Sequence, residues 1–354
     1  MSRRARSLLL LAVKLAVAAG LLVYLVGYRR ALTWDSFRPV RDHWERLPAC
    51  FALLGCIPLV GALRWRMFLR GQGFEVSYRR ALHLTLVGLF FNCVGVGYTG
   101  GDVAKAYYAA GDQPRGRRAE AVTTVFFDRA VGLLGLVTLG LLAMALRPAF
   151  IWRDPRLRVA AVLMLGLAGA AVAAFLLTFF EKLRGAGGLF DRLGRLPGGA
   201  MLLRVYRAVM VYRSRPGVIL AAVGLSLVAH SLNIAFLWQL SRALAAPPIS
   251  PAEFAFAIAI GLAASSFGPP LGVGFGQGAF DFMLQPLGVP IGAALATLMQ
   301  AMNLIFCIAA GLPAFLLVRK EAARVQAEMA EDQAADDAGP PAPGAPNPAG
   351  EARG

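Results

Sequence analysis

The stretch Asn92-Cys93-Val94-Gly95-Val96-Gly97-Tyr98-Thr99-Gly100-Gly101-Asp102-Val103-Ala104-Lys105 decides how this chain folds. It follows an apolar run, Ala81 to Phe91, and interrupts it with four glycines before ending on an acid and a base. Glycine in a helix interior costs about 1 kcal/mol relative to alanine. Broken, charged backbone at membrane depth is tolerated where it packs against protein or lines a cavity. The stretch therefore predicts a break around which the other helices are arranged.

The composition is that of an integral membrane protein. Hydrophobic residues make up 58% of the 354 residues and charged residues only 16%, and the mean hydropathy is +0.60. A net charge of +16 would suggest a nucleic-acid partner for a soluble protein, but here the basic residues lie between apolar runs. They therefore indicate membrane orientation and attraction to anionic lipid headgroups, and no nucleic-acid partner is expected.

The cysteines and histidines predict neither a cofactor nor a metal site. The four cysteines lie in or beside apolar runs without metal-ligand spacing, and they are Cys50, Cys56, Cys93 and Cys307. We expect them to be small packing residues without a disulfide framework. The three histidines form no ligand cluster, and no nucleophile motif is present, which argues against an enzyme.

Six apolar runs are predicted to cross a bilayer core of roughly 30 Å. They are Leu8–Val26, Pro48–Leu63, Ala121–Leu146, Val159–Phe180, Gly217–Leu240 and Ile291–Val318. A signal peptide is the alternative for the first run, but its apolarity continues past the possible cleavage site, which favours a retained span. The second run ends on Arg64-Trp65-Arg66, which predicts an interfacial anchor. A seventh apolar run, Phe254 to Phe267, breaks at Gly268-Pro269-Pro270.

Counting basic residues decides whether the two broken segments cross the membrane or turn back. If both turn back, the loops on one side hold 23 Lys and Arg residues and those on the other side hold 10; if both cross, the counts are 16 and 17. Because Lys and Arg accumulate on the cytoplasmic side, the first arrangement is predicted, with both termini cytoplasmic. The inside segments are then Ser2–Leu8, Arg64–Arg80, Gly101–Glu120, Glu181–Pro216 and Arg319–Arg324, and the outside segments are Tyr28–Leu47, Arg147–Arg158 and Ser241–Pro251.

The predicted fold is an all-α polytopic protein of the inner membrane with six full transmembrane helices and two re-entrant helical hairpins, at about 81–110 and 252–288. The two hairpins enter from opposite sides and both carry a Gly-Val-Gly-aromatic sequence, as expected of an inverted repeat. Such repeats are typical of transporters, with the substrate between the hairpins. The transmembrane domain is expected to cover 1–320, with a basic cytoplasmic loop at 181–216. Residues 321–354 are acidic and then rich in Ala, Pro and Gly, which predicts a disordered cytoplasmic tail.

Three motifs resemble the flippase-like transmembrane domain family, named after the membrane part of lysylphosphatidylglycerol synthases. They are Gly100-Gly101-Asp102-Val103-Ala104-Lys105-Ala106-Tyr107-Tyr108, Asp128-Arg129-Ala130-Val131-Gly132 and Gly272-Val273-Gly274-Phe275-Gly276-Gln277. The resemblance spans residues 8 to 320 and implies a protein linked to lipid translocation. It implies as partners an anionic phospholipid, a polyprenyl-phosphate-linked lipid or a hopanoid-type lipid or glycolipid, together with lipid-synthesis enzymes.

Two residues depart from the family pattern. Lys105 stands where an Arg is usual, and Gln277 stands where a Glu is usual. Gln cannot carry a proton or a negative charge, so a relative that couples transport through this acid is expected to differ from this chain. The aminoacyl-transferase domain of the full synthases is expected to be absent, so no lipid aminoacylation is predicted.

The substrate-binding residues are predicted around the two breaks and on the Asp-Arg motif. They are Asn92, Gly95, Gly97, Gly100, Gly101, Asp102, Lys105, Asp128, Arg129, Pro270, Gly272, Gly274 and Gln277. Asp102 and Lys105 share a helix face and could pair. Lys105 is expected to meet a lipid phosphate while Asp102 orients it; the alternative is an ordinary helix cap beside a lysine that extends to the interface.

The remaining polar residues favour structural roles. Asp128-Arg129 is interpreted as a brace for the first hairpin, with a functional charge as the alternative. His230 with Asn233, and Gln300 with Asn303, predict interhelical hydrogen bonds, with a headgroup path as the alternative. The sequence thus predicts a lipid transporter. A non-transporting accessory subunit of a lipid-synthesis complex and a membrane-embedded transferase are the two rival classes.

Overall fold

The structure is a computed structural model that describes residues 20, 23–28, 33–94, 100–111, 117–177, 212, 216–266 and 272–318. All regular secondary structure in these ranges is helical. The chain divides into two compact units, Met1–Ala314 and Phe315–Gly354, and the second is described only at 315–318, which are helical. The predicted tail at 321–354 and most of the predicted loop at 181–216 lie outside the described residues.

Nine helices form the framework of the described residues. They are α1 (Leu47–Gly71), α2 (Tyr78–Val94), α3 (Gly100–Gly111), α4 (Arg118–Leu146), α5 (Pro155–Leu177), α6 (Pro216–Ala243), α7 (Pro251–Ser265), α8 (Phe275–Leu284) and α9 (Gly292–Phe306). Short helical turns flank them at Tyr24–Tyr28, Trp34–Phe37, Arg38–Asp42, Trp44–Arg46, Pro148–Arg153, Gln285–Leu287 and Cys307–Gly311. Several helices begin at a proline, whose fixed φ suits the first turn and whose missing N–H is not needed there.

Four helices among the described residues are long and apolar enough to cross a membrane. They are Trp44–Gly71, Glu120–Leu146, Gly217–Ala243 and Gly292–Val318. These four contain predicted spans. An apolar run of this length can cross a bilayer as a helix, because the helix satisfies its own backbone polar groups. The predicted span Val159–Phe180 corresponds to the helix α5. The predicted span Leu8–Val26 lies mostly outside the described residues.

The two broken segments form antiparallel helix pairs. In the first hairpin, α2 and α3 pack so that Gly88 faces Gly101 and Lys105, while Asn92 reaches Gly101. In the second hairpin, α7 and α8 pack with Gly261 against Phe280 and Ser265 against Gly272. Each pair therefore reverses direction at its glycine-rich connection. The residues 95–99 and 267–271 within these connections lie outside the described part of the chain.

The loops between the helices collect at the two ends of α4. Near its beginning, an Arg117 guanidinium N–H donates to the carbonyl of Gln72. Near its end, Phe150 packs edge-to-face on Phe256, with ring centroids 5.3 Å apart. Tyr212 also lies at the first end, where its hydroxyl donates to the carbonyl of Phe68 at 2.8 Å. Residues of the predicted inside segments thus contact one another at one end, and residues beside the predicted outside segments do so at the other.

One cysteine pair contradicts the sequence analysis. Cys93, near the end of α2, forms a disulfide with Cys307, and their Cα atoms are 6.7 Å apart. The prediction that the cysteines are unbonded packing residues was wrong for this pair. The two residues are 214 positions apart in the sequence, so only the packing of α2 against the π-helical turn Cys307–Gly311 brings them together. Cys50 and Cys56 are free.

Candidate functional site

Backbone contact between α2 and α3 places the charged residues of the first hairpin. A Cβ atom at Gly101 would collide with the carbonyl oxygen of Gly88 and would come within 2.6 Å of the Asn92 side-chain oxygen. Only glycine fits there. The Asn92 side-chain oxygen also accepts a hydrogen bond of 2.9 Å from the N–H of Gly101, which satisfies a donor at the start of α3. Asn92 and Gly101 therefore position α3, and their predicted part in substrate binding stays a prediction.

A buried ion cluster joins the first hairpin to α1 and α4. The Arg64 Nε donates to Asp128 Oδ1 at 2.8 Å, and the Lys105 Nζ lies 3.6 Å from Asp128 Oδ2. The exposed fractions of these side chains are 11% for Arg64, 9% for Lys105 and 10% for Asp128. A carboxylate between two cations compensates part of the desolvation cost that each charge carries inside the protein. The predicted role of Asp128 as a brace for the first hairpin agrees with this geometry.

A second ion pair extends the cluster towards the protein surface. The Arg129 Nε lies 2.7 Å from Asp102 Oδ2, and the side chains are 42% and 18% exposed. The sequence suggested that Asp102 pairs with Lys105 on the same helix. The described contacts instead pair Asp102 with Arg129 and Lys105 with Asp128, because the closely packed α3 and α4 offer each group a partner across the helix boundary.

Neutral side chains from α1, α4 and α6 surround the charged groups of the cluster. The Lys105 Nζ lies 4.0 Å from the centroid of the fully buried Trp65 ring, a distance that favours cation–π attraction. The Trp65 indole N–H donates to the Thr124 hydroxyl at 3.0 Å. From α6, the Ser226 hydroxyl accepts from Arg64 Nη1 at 2.7 Å. The predicted interfacial anchor was therefore wrong for Trp65, which packs inside the protein.

His230 and Asn303 test the prediction of interhelical hydrogen bonds. The His230 Nε2 is 2.8 Å from the carbonyl oxygen of Gly132 on α4, so this histidine does link two helices. The Asn303 side chain instead donates to Met299 within its own helix at 2.8 Å.

The cluster has an excess of positive charge. Its cations are Arg64, Lys105 and Arg129, its carboxylates are Asp102 and Asp128, and the formal sum is +1 with all groups ionised. Charges within transmembrane segments are costly and mark functional sites by default. Among the described groups the cluster thus holds one more cation than anions, and its Arg129 side is the more exposed, an arrangement that suits an anionic group such as a phosphate or carboxylate. The described residues contain no group of three or more His, Cys, Asp or Glu residues able to hold a metal.

The second hairpin holds a neutral amide network instead. The Gln277 Nε2 donates to Gln300 Oε1 at 2.6 Å and to the Thr297 hydroxyl at 3.2 Å. The Gln277 Oε1 accepts from the N–H of Gly274 at 2.8 Å. Both side chains are buried. The bond from Gln277 on α8 to Gln300 on α9 confirms the predicted interhelical hydrogen bond of Gln300. Both side chains therefore hold α8 against α9.

The glycines of the second hairpin serve its turn. Gly272 and Gly274 have φ angles of +71° and +79°, in the region that favours glycine. A Cβ at Gly272 would also lie 2.9 Å from Ser265. Gly95, Gly97 and Pro270 lie outside the described residues, and Gly100 begins α3. Backbone geometry therefore explains the glycines at 272 and 274.

The structure thus separates the predicted site into two parts. Asp102, Lys105, Asp128 and Arg129 come together, whereas Gln277 lies in the amide network of the second hairpin. Sequence reasoning missed Arg64, which it placed at the membrane interface. The sequence did offer one indication of this pair. Arg64 directly follows one apolar run, and Asp128, of opposite charge, lies within another.

Comparison with known proteins agrees with the membrane character of the chain. The sequence profile described as the lysylphosphatidylglycerol synthase TM region matches residues 11–311. The chain is also 30% identical over 93 residues to a UPF0104 membrane protein of Pyrococcus horikoshii. That segment covers 26% of this chain and 28% of the relative, so the match spans less than a third of either protein. No solved structure gives a significant match.

Proposed function

Because the chain belongs to the family of the lysylphosphatidylglycerol synthase transmembrane region, we propose that it binds an anionic, phosphate-bearing lipid and moves it across the inner membrane. The observation that carries this proposal is the ion cluster of Arg64, Lys105, Asp128, Arg129 and Asp102, with its excess of one positive charge. A cluster that only braced helices would gain stability from charge balance, since each uncompensated buried charge is destabilising. An anionic headgroup supplies the missing negative charge.

The exposure of the cluster gives the direction of approach. Arg129 and Asp102 form its more accessible pair, while Lys105 and Asp128 are nearly buried. A phosphate would reach Arg129 first, where a guanidinium can bind phosphate oxygens through two parallel hydrogen bonds. Displacement of Asp102 from Arg129 would then open the path to Lys105. This order makes Arg129 the recognition residue and Lys105 the deeper one.

The topology of the proposal is six full spans and two re-entrant hairpins in an inverted repeat, with both termini cytoplasmic. It is supported by the antiparallel packing within each hairpin and by the grouping of loop residues at the two ends of α4. Single cysteines at Glu75 and Pro248, in a background without other cysteines, test it with a thiol reagent that does not cross membranes. We expect labelling from opposite sides, and labelling from the same side would rule this topology out.

A reconstitution assay tests the transport. Purified protein in vesicles of zwitterionic lipid with a trace of fluorescent phosphatidylglycerol should speed its exchange between leaflets, measured by quenching of the outer leaflet. A fluorescent glycolipid and a fluorescent phosphatidylcholine test the alternative neutral headgroups.

Arg129→Gln should slow exchange of phosphatidylglycerol at least about tenfold, the factor that corresponds to 1.4 kcal/mol. Arg70→Gln is the matched control, because Arg70 is exposed and lies outside the cluster. If the wild type binds phosphatidylglycerol but exchanges none of the three lipids, an accessory role is favoured. Chemical conversion of a lipid by the pure protein would support a transferase.

The match to the transmembrane region does not extend the activity of the synthases to this chain. The matched region is not the aminoacyl-transferase domain. The protein that we propose therefore has no enzymatic activity of its own. Partners among lipid-synthesis enzymes belong to the same proposal, and copurification with crosslinking in native membranes tests them.

A further inference from the structure

Lys105 is the most enclosed cation of the ion cluster. It is 7% exposed, its Nζ lies 3.6 Å from the Asp128 carboxylate, and the Trp65 ring centroid is 4.0 Å away. Its Cβ lies 3.7 Å from the position that a Cβ on Gly88 would occupy. The amine is therefore enclosed by residues of α1, α2 and α4, and Lys105 cannot extend into bulk water without a change of conformation.

Within the described part of the chain, the charged and titratable groups of the cluster around Lys105 come from four helices. Arg64 lies on α1, Asp128 and Arg129 on α4, and Asp102 on α3, the helix of Lys105 itself. From α6 the cluster receives His230, held on the Gly132 carbonyl. The neutral Ser226 hydroxyl also comes from α6, and α2 contributes the backbone of Gly88.

Each of the two aspartates has an arginine partner of its own. Asp128 is 2.8 Å from the Arg64 Nε, a shorter distance than its 3.6 Å to Lys105, and Asp102 is 2.7 Å from the Arg129 Nε. Two arginines against two carboxylates sum to zero. Arg stays protonated in proteins, whereas a buried Lys can lose its proton. Lys105 is thus the group whose charge can change while both arginine–carboxylate pairs remain intact.

The charge balance therefore has two neutral states. With Lys105 as the free amine and no ligand, the five groups sum to zero. With Lys105 as the ammonium and one phosphodiester bound, they also sum to zero. The mixed states, an ammonium without an anion and an anion without the ammonium, leave one charge uncompensated in a site of low polarity, which is costly.

We infer that the Lys105 amine takes up a proton when an anionic lipid headgroup binds and releases that proton when the headgroup leaves. The inference rests on the proposed function and names the proton as the ion linked to occupancy. The proton comes from water and converts the Lys105 amine to an ammonium, which then faces the phosphate as a counter-ion. No covalent bond to the lipid forms, and on release the proton returns to water. Gln277 has no part in this step, because its amide does not titrate.

Calorimetry of the full-length protein in a neutral detergent tests the inference. Dioctanoyl-phosphatidylglycerol is titrated in at pH 7, 8 and 9, in pairs of buffers with different ionisation enthalpies. The dependence of the binding heat on the buffer gives the number of protons taken up. Because the phosphodiester stays ionised throughout this range, uptake reports a group of the protein. Dioctanoyl-phosphatidylcholine is the control for binding without net headgroup charge.

We expect proton uptake that rises with pH towards one proton per lipid. The affinity should then weaken by up to about tenfold per pH unit, the limit for one linked proton. Lys105→Arg fixes the charge of this position, so it should bind phosphatidylglycerol with no proton uptake and with an affinity that is flat from pH 7 to 9. Arg70→Lys, a basic exchange at an exposed residue outside the cluster, should behave as the wild type.

Three results would overturn the inference. They are binding by the wild type without buffer-dependent heat, uptake that persists in Lys105→Arg, and uptake that accompanies phosphatidylcholine equally. The second result would assign the proton to another group of the protein, such as His230. In all three cases the proposed lipid binding stands. Failure of the wild type to bind phosphatidylglycerol at all is the separate result that removes the proposed function. If Lys105→Arg does not fold, the wild-type heats alone decide.

Discussion

The two hairpins are both closed by glycine contacts, but one carries charged groups and the other neutral amides. In both, a glycine allows the second helix to approach the first, with Gly101 against Gly88 in one and Gly276 near Ser265 in the other. The first hairpin then carries Asp102 and Lys105 into an ion cluster, while the second carries Gln277 into a neutral amide network. Glycine contacts are therefore common to both hairpins, whereas the ion cluster belongs to the first hairpin.

The amide network and the ion cluster satisfy their buried polar groups in two different ways. Gln277 and Gln300 find their partners within the protein: Gln277 bonds to Gln300, Thr297 and Gly274, and Gln300 bonds to Gln277. The ion cluster is complete only if a further negative charge enters or Lys105 loses a proton. The amide network of the second hairpin therefore needs no further group, whereas under the proposed function the ion cluster of the first hairpin receives an anionic headgroup.

The largest expected effect comes from the centre of the ion cluster. Asp128→Asn should lower the free energy of unfolding by about 3–5 kcal/mol, because it leaves the Arg64 guanidinium, which stays protonated, buried without its counter-ion. Unfolding in mixed detergent, followed by circular dichroism, measures it. Glu253→Gln is the control, since Glu253 is also buried but its partners Arg147 and Arg153 are about half exposed and stay hydrated. An equal loss in both variants would show that burial of the carboxylate, and not the cluster, sets the cost.

Glycine contact should matter more in the first hairpin than in the second. Gly101→Ala places a methyl group against the backbone carbonyl of Gly88, which cannot move alone, so we expect a loss at the upper end of about 1–3 kcal/mol. Gly276→Ala meets mainly the Ser265 and Gln300 side-chain ends, which can shift, so its loss should be smaller. Gly224→Ala, with open space around it, is the control. Thermal unfolding of the three proteins side by side ranks them, and the reverse order would contradict the account of hairpin closure.

The amide network offers the next test. Gln277→Glu replaces the donor that meets the Gln300 Oε1 at 2.6 Å by an acceptor, so about 1–3 kcal/mol of stability should be lost. The double variant Gln277→Met with Gln300→Met removes both partners, and it should lose less than the single variant, since paired apolar replacement leaves fewer polar atoms unsatisfied. Chemical unfolding of both variants checks the order. Equal losses would mean that the volume of the side chains, and not their hydrogen bonds, determines the loss of stability.

The smallest effect is expected at the accessible pair. Asp102→Asn should change the free energy of unfolding by less than about 1 kcal/mol, because the Arg129 side chain is 42% exposed and water replaces much of the lost attraction. Binding of phosphatidylglycerol should instead tighten, since Arg129 no longer has to leave a carboxylate. Titration of the lipid against both proteins measures this. Weaker binding in the variant would show that Asp102 helps to hold the headgroup.

Much of the fold could be predicted from local sequence. The spans within Trp44–Gly71, Glu120–Leu146, Gly217–Ala243 and Gly292–Val318 follow from runs of apolar residues long enough to bury their own backbone. The first hairpin followed from glycines where a helix cannot tolerate them cheaply. The partners of the charged residues could not be predicted, because Arg64 and Asp128 are 64 positions apart and many arginines end apolar runs at the interface.

Neighbouring residues in the sequence were a poor guide to pairing. Asp102 and Lys105 share a helix face, yet each pairs with a residue of α4, because a partner across a close helix contact can satisfy a charge without straining the side chain within its own helix. The Cys93–Cys307 disulfide was missed for the same reason, since nothing local to either cysteine indicates the other.

The sequence by itself determined that this is a helical membrane protein with two glycine-broken segments, because hydropathy, helix length and the cost of glycine act locally along the chain. Only the tertiary structure decided that the first break carries a net-positive ion cluster and the second a closed amide pair. Charges and amides are satisfied by whatever lies within about 3 Å in space. Packing, and not sequence distance, sets which residues those are.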